Sequence, residues 1–451
     1  MSNISEKIKE DLPNFVLNMK PLFLNELDEF INSYDKKYQK SIRLNSKKID
    51  RKFLENAGIL LKENELVKDT YFVEDENLTK HPYYHLGLYY FQELSASVPI
   101  SYFSFDENAK VLDMCSAPGG KSLQISAKLS DKGVLFSNDI SVSRQRATVK
   151  NIEKFGISNS IIMAENLQKL TKYYRDFFDA ILVDAPCSGE GMFAKDKSLM
   201  NNWDADKIEE YSNRQLEILD SARLLLKKGG SIMYSTCTFD VRENEGVIER
   251  FLSAHNDFEV ILIDNDLADG LGKFDDKIIN ASNRILPHKH DALGHFFIVL
   301  KKNGELNTDS EKKIFNEPPD YFKSFSKSIG FKPKKGYYFE KNDKLYYTFY
   351  KIDVASNCRI LRTGLLLGEL KGIKFIPSQA FAMSLNIEDV KNKIEFSLED
   401  ENAIKYLKGE TLMLKKDKGY YLIFIDSMSA GFALSDGIKL KNKLKKDWIL
   451  V

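Results

Sequence analysis

From Leu88 to about residue 302, short apolar runs alternate with amphipathic stretches. Lys110-Val-Leu-Asp-Met114, Gly133-Val-Leu-Phe-Ser-Asn138, Ser160-Ile-Ile-Met163, Ala180-Ile-Leu-Val183, Ser231-Ile-Met-Tyr234 and Phe296-Phe-Ile-Val-Leu300 each read as strands buried on both faces. Between them, apolar positions recur at helical spacing near Ser122 to Leu129, Ser141 to Phe155, Ile208 to Lys228 and Glu243 to Ser253. This alternation predicts an α/β fold with a parallel sheet covered by helices on both faces. Upstream, Phe15, Met19, Phe23 and Leu27 mark a small, helix-rich leading module in which Ser41-Ile-Arg-Leu-Asn45 predicts a strand. Lys301 to Lys313 is polar, holds one glycine and has no apolar period, so it predicts a linker. Beyond it, short strands, Lys-rich turns and many tyrosines predict a β-leaning domain. No fixed-period repeat or low-complexity tract interrupts the pattern.

Length and composition narrow the class. A chain of 451 residues predicts about three domains. Hydrophobic residues make up 43% and charged residues 29%, too apolar for a disordered chain. No apolar run approaches the roughly 20 residues of a membrane span, and Met1 to Lys20 is too charged for a signal peptide, so a cytoplasmic protein with no membrane partner is predicted. Four cysteines, Cys115, Cys187, Cys237 and Cys358, are too few for a disulfide framework and are expected as thiols. Sixty-six basic side chains balance 66 acidic ones, which at first argues against a polyanionic partner. The balance is a cancellation: residues 321–451 hold 24 Lys/Arg against 15 Asp/Glu, net +9, and the rest of the chain carries −9. The basic segment interleaves lysines with aromatics, as in Phe331-Lys-Pro-Lys-Lys-Gly-Tyr-Tyr338, a mixture suited to phosphates and unpaired bases of RNA. On this reading, deleting residues 321–451 weakens RNA binding and leaves cofactor binding intact.

Candidate chemistry gathers where strands end. Asp113-Met-Cys-Ser-Ala-Pro-Gly-Gly-Lys-Ser122 follows the first strand of the alternating region and opens a helix. Gly119 and Gly120 permit a tight turn, and the helix N-terminus offers free N–H groups to a polar ligand. Asp139 closes the next strand, 19 residues after Gly120, at the place where an acid meets a ribose hydroxyl in nucleotide-binding sheets. Gly120-Lys-Ser122 also matches the end of a phosphate-binding P-loop, with Asp184 as its strand-borne acid. That motif needs glycine at position 115, which is Cys115, and Pro118 removes a backbone donor. His288, His290, Asp291 and His295 raise a metal-site reading, but their spacing fits no zinc module and no metal is expected.

The two following strands end in Asp184-Ala-Pro-Cys187 and Ser235-Thr-Cys237, placing two thiols at equivalent strand ends beside the glycine loop. A thiol, a carboxylate and a nucleotide-like cofactor suit methylation of a pyrimidine at C5. Thiolate addition at C6 makes an enamine that attacks an electrophilic methyl group, Asp184 is placed to hold the base, and a second acid/base group is needed to release the product.

Cys115-Ser-Ala-Pro-Gly-Gly-Lys121, Asp184-Ala-Pro-Cys-Ser-Gly-Glu-Gly191 and Ser235-Thr-Cys-Thr238 resemble the cofactor, fourth and sixth motifs of S-adenosylmethionine-dependent RNA cytosine-C5 methyltransferases. The stretches His81–Glu93, Arg284–Phe296, Leu361–Glu369, Tyr406–Glu410 and Lys439–Asn442 extend the likeness, over nearly the whole chain, to the bacterial RsmF-type (YebU-like) rRNA methyltransferases of the wider Nop/Sun family. The resemblance implies Cys237 as nucleophile, Cys187 in product release and Asp184 in positioning the base, with Lys121 beside them. It implies S-adenosylmethionine held by Cys115, Ser116, Ala117, Pro118, Gly119, Gly120, Lys121, Asp139 and Asp184, with either Asn166 or Glu165 on the adenine side. It further implies a Rossmann-like class I methyltransferase domain over 86–302 after an N-terminal RNA-binding α+β module over 1–85. A linker over 303–313, a family-specific module over 314–386 and a PUA-like β-barrel over 387–451 follow. The implied partner is RNA, either 16S rRNA or the 30S subunit, with tRNA as the alternative, no DNA partner and a monomeric enzyme. An RNA-binding assembly factor without activity is the rival from another class, and the retained cysteines and glycine loop argue against it.

Overall fold

The computed structural model describes residues 3–306 and 313–450. Helices Ile4–Asp11, Pro13–Phe23 and Leu27–Ser33 open the chain. Their apolar faces bring Phe15, Phe23, Phe30 and Tyr34 together, and this cluster packs onto Phe193, Trp203 and Phe239 beside the strand ends. A small antiparallel sheet follows, with β1 (Lys40–Leu44) between β2 (Thr70–Val73) and β3 (Tyr89–Phe91). The expected strand at Ser41–Asn45 is thus the centre of its sheet.

The large central sheet contains β4 (Lys110–Asp113), β5 (Val134–Asn138), β6 (Ser160–Met163), β7 (Phe178–Asp184), β8 (Leu226–Thr236), β9 (Phe258–Ile261), β10 (Asn283–Ile285) and β11 (His295–Lys302). β5 and β6 lie in parallel on one side of β4, and β7 and β8 in parallel on the other. The order therefore reverses direction at β4, and a crevice opens at the carboxyl ends there, the usual ligand position of such sheets. β11 returns antiparallel to β8 and is flanked by β10 and β9. All six predicted strands are present, and their runs are continuously apolar because helices such as Val142–Phe155 and Ile208–Leu225 cover the sheet. The predicted helix to Lys228 stops at Leu225. Leu226 pairs with Phe178 instead and begins β8, and Gly229, at φ +72°, lies in the bulge inside β8 between that pair and Ala180–Ser231.

Downstream, β12 (Tyr337–Lys341), β13 (Lys344–Thr348), β15 (Leu365–Lys371) and β16 (Lys374–Pro377) form a four-stranded sheet. β14 (Ile360–Thr363) lies outside it and pairs antiparallel with β6, adding an edge strand to the large central sheet. Tyr350 and Cys358 join the hydrophobic core beneath that sheet, so this part of the basic tail completes the domain that precedes it. The tail therefore differs from the detachable RNA-binding unit expected from its charge, because strand pairing across about 200 residues leaves no local signal. The last sheet runs β17 (Lys393–Phe396), β18 (Gly419–Ile425), β19 (Met428–Ser435) and β20 (Leu440–Asn442). The linker expected over 303–313 includes 307–312, which lie outside the described residues. Among the described residues no helix is long and apolar enough to cross a membrane.

Candidate active site

The loop after β4 turns at Gly119, whose φ of +103° lies in the left-handed region. A Cβ there would lie 2.9 Å from the Thr148 methyl group. Gly120 then begins the helix Gly120–Lys128, whose first N–H groups face the crevice end of the sheet. Gln145 ties the loop to two strands: its Oε1 pairs with the Ser116 hydroxyl at 3.1 Å, and its amide donates to the carbonyls of Ser137 and Met163. Asp139 is buried just past β5. Its carboxylate accepts the Ser141 N–H at 2.8 Å and lies 3.4 Å from Arg144, which also donates to the Ala117 carbonyl. Asn166 caps the helix Leu167–Tyr173 by accepting the Lys169 N–H, while the Glu165 carboxylate accepts N–H groups from Asn166 and Arg359. Arg359 immediately precedes β14, so the C-terminal region reaches the wall on that side. Cys115 sits in the loop, and burial, followed by Asp113 and Asp184, pushes its thiol up and keeps it protonated. A cavity of about 310 Å³ lined by Lys48, Phe155, Asn159 and Tyr347 lies at the opposite end of β6, away from this chemistry.

β7 and β8 pair with Asp184 opposite Ser235, which brings the chain segments beyond them to one level. Cys187 and Cys237 consequently face each other with their sulfurs 3.4 Å apart, both as free thiols, and the Cys237 N–H donates to the Cys187 sulfur. The hydrogen bond to Cys237, and after it burial, hold Cys187 well above the ordinary thiol range. Cys187 thus keeps its proton. Beside them Asp184 accepts Lys121 Nζ at 2.6 Å and the Ser235 hydroxyl at 2.8 Å, both on Oδ1. Burial raises Asp184, but the Lys121 ammonium and the Ser235 hydroxyl outweigh it, and the carboxyl ends below its usual range. Its side chain stays 32% exposed, so an ionised oxygen remains open to the crevice.

Two acids that the sequence reading passed over lie behind the thiols. Glu243 accepts the Ser188 N–H and hydroxyl and the Gln215 amide; the Ser188 and Thr238 hydroxyls meet at 2.7 Å; Thr238 donates to Glu190. The two hydroxyls thus join the two acids into one buried hydrogen-bonded chain. Burial accordingly pushes Glu243 up to about 7 and Glu190 up to about 8. Because Ser188 and Thr238 directly follow the two cysteines, this chain pins both thiol-bearing loops. The acids are visible in the motif text, as Cys187-Ser-Gly-Glu190 and Glu243-Asn-Glu245, but spacing alone says nothing of their burial. His288, His290 and His295 take separate partners, namely Glu26, the Leu286 backbone and Lys121.

The chain that carries this strand-end arrangement is similar to known proteins over most of its length. Residues 101–301 match the family described as 16S rRNA methyltransferase RsmB/F. Residues 12–94, 324–385 and 393–450 match the N-terminal, first C-terminal and PUA domains of methyltransferase RsmF. The fold is that of a Rossmann-like RNA methyltransferase with a C-terminal PUA domain. A methyltransferase homologue from Pyrococcus horikoshii shares 26% identity at a TM-score of 0.59, covering 66% of this chain and 98% of that one. A structure titled NSun6 from the same organism, solved with SFG, has the same fold at 19% identity and a TM-score of 0.56, over 68% of this chain and 99% of that one. The chain belongs to the ribosomal RNA small subunit methyltransferase F family. The member from Shewanella loihica is 30% identical over 99% of this chain and 95% of its own length, and the one from Shewanella amazonensis 29% identical over 93% and 94%. S-adenosylmethionine is the cofactor that goes with this family. The residues fit it: a glycine turn with no room for a Cβ, a helix N-terminus, and the buried Asp139 and half-buried Asp184 carboxylates at two strand ends supply donors and acceptors for a ribose and an amino-acid end.

Proposed function

We propose that this enzyme methylates C5 of a cytosine in small-subunit rRNA through a covalent adduct between Cys237 and C6 of the base. The observation that carries the proposal is the Cys187–Cys237 sulfur pair at 3.4 Å, next to the Lys121–Asp184 ion pair. Cys115 to Lys121 with Asp184 hold the cofactor, Asp139 meets its ribose, and Asn166 or Glu165 borders its adenine. S-adenosylmethionine, when bound, supplies an electrophilic methyl group. Cys237 forms the S–C6 bond as a thiolate, which makes C5 nucleophilic. The open oxygen of Asp184 receives the exocyclic amine, and Lys121, paired with Asp184, faces the charge that gathers on the ring. Once C5 carries the methyl group, its remaining hydrogen leaves as a proton to a base, the electron pair re-forms the C5–C6 bond, and the S–C6 bond breaks to return the Cys237 thiolate. Cys187, close enough to exchange a proton with Cys237, serves this release.

The proposed partition is an RNA-binding α+β module over 1–85, the catalytic domain over 86–302, a linker over 303–313, a family-specific module over 314–386 and a PUA-like RNA-binding domain over 387–451. Excess positive charge in residues 321–451 supports RNA contact there. The base is flipped out of its helix to reach the thiols. The test is bisulfite sequencing of total RNA with and without the enzyme, paired with two variants. Cys237→Ala is expected to abolish methylation, and Cys187→Ala to accumulate an RNA adduct that survives denaturant. Wild-type turnover by Cys237→Ala removes the assigned nucleophile, and sites confined to tRNA move the substrate.

A further inference from the structure

The histidine-rich turn before β11 is a feature that the proposed reaction leaves unused. Gly294, its last residue, packs against the Phe239 ring so tightly that a Cβ would lie 2.0 Å from the ring. That contact fixes the backbone and sends His295, the first residue of β11, into the cleft floor. His295 is 3% exposed, and its Nε2 lies 3.4 Å from Lys121 Nζ and 3.8 Å from Asp184 Oδ1. Burial first, and the Lys121 ammonium second, push the imidazole down to about 3, so it is neutral throughout the working range. A neutral imidazole facing an ammonium accepts at Nε2 and therefore carries its proton on Nδ1.

We propose that His295 is a positioning residue of the methyl-transfer site: it accepts one N–H of Lys121 and so fixes the ammonium that holds the Asp184 carboxylate. Lys121 has three N–H groups on a flexible stem. Asp184 takes one and His295 a second, and two fixed acceptors define the position of Nζ where one would leave it free to swing about Oδ1. Ser235 steadies the same Oδ1 from the side of β8. The ion pair is thus braced from three strand ends, and the open Asp184 oxygen keeps one direction. An apolar side chain of similar size at 295 would fill the space but leave a buried ammonium N–H unpaired, whereas glutamine presents an acceptor. The inference rests on the proposed reaction for its rate readout, and the contact itself is read separately.

The experiment is single-turnover methyl transfer at saturating RNA and cofactor. His295→Leu is expected to be slower by about ten-fold or more, the loss of a hydrogen bond to a charged group, and His295→Gln to stay within about three-fold of wild type. RNA and cofactor affinity should change by no more than about two-fold in either variant, which separates positioning from binding. A purely space-filling histidine would instead be served by leucine and poorly by glutamine, and wild-type rate in His295→Leu overturns the proposal. Selective 15N-histidine spectra of the wild-type enzyme, which has six histidines, read the contact without any variant of His295. One ring is expected to keep a protonated Nδ1 and a bare Nε2 from about pH 5 to 9, and to shift in Lys121→Met; titration of all six near the ordinary histidine value of about 6.5 overturns it. If wild-type enzyme leaves no 5-methylcytosine, the proposed reaction fails while these spectra still decide the contact.

Discussion

Arg284 and Glu245 form an ion pair with no exposed side-chain surface, and breaking it should be costly in a measurable way. The guanidinium Nε donates to one carboxylate oxygen at 2.8 Å and NH2 to the other, and NH1 donates to the Phe239 carbonyl at 3.0 Å. Phe296 lies under the cation at 5.2 Å. In Arg284→Leu the carboxylate keeps the Leu271 N–H as a partner and loses both charged donors. Leaving one member of a buried pair uncompensated costs about 3–5 kcal/mol, and for a domain of this size each kcal/mol moves the melting temperature by about 2–4 °C. The expected drop is therefore about 6–20 °C by calorimetry or fluorescence melting. Phe239 follows Cys237 by two residues, so turnover of the folded variant should also fall. The double variant Arg284→Leu/Glu245→Leu removes both charges and should melt above the arginine single variant, because apolar replacement of a whole buried pair is close to neutral. A melting point of Arg284→Leu within about 2 °C of wild type, or a double variant that loses the sum of the two singles, would refute the reasoning.

Three further outcomes are expected. Gly119→Ala, forced to φ +103° with its Cβ against Thr148, should lose cofactor affinity by about ten-fold or more in a binding titration, and unchanged affinity would remove the steric account of the loop. Glu243 holds a proton more tightly in the folded chain than unfolded, so its contribution to stability is full at low pH and is lost as pH rises from its ordinary value of 4.5 through about 7. Stability melts from pH 5 to 8 should then fall more steeply for wild type than for Glu243→Gln, by up to about 3 kcal/mol; parallel profiles would contradict a raised carboxyl. Truncation after residue 319 removes β14 and the Tyr350 and Cys358 packing, so cofactor binding should be lost together with the fold rather than surviving, which isothermal titration of the truncated chain checks.

The parallel strands and the cofactor loop were legible because their cues are local. A strand buried on both faces must be continuously apolar, as in Ala180-Ile-Leu-Val183, and a loop that turns without a Cβ must carry glycine where Gly119 stands. The thiols were legible for a related reason. Parallel strands deliver all their carboxyl ends to one edge, so two cysteines just past neighbouring strands must converge there, as the 3.4 Å separation of Cys187 and Cys237 bears out. The end of β8 nearer Leu226 was misread as helix because an apolar Leu-Leu-Leu run satisfies either period, and pairing with Phe178 decides it.

What the amino-acid sequence determined by itself is thus the alternating α/β plan, the strand-end placement of its chemistry and the uneven distribution of charge. Only the tertiary structure decided that Glu190 and Glu243 are buried behind the thiols and linked through Ser188 and Thr238, that Arg284 and Glu245 are buried against each other, and that His295 lies against Lys121. It also decided that part of the basic tail is a strand of the catalytic sheet. The physical reason is common to all four. A polar side chain's ionisation, burial and partner depend on atoms brought from 39 to about 200 residues away, and no periodicity or spacing within its own segment carries that information.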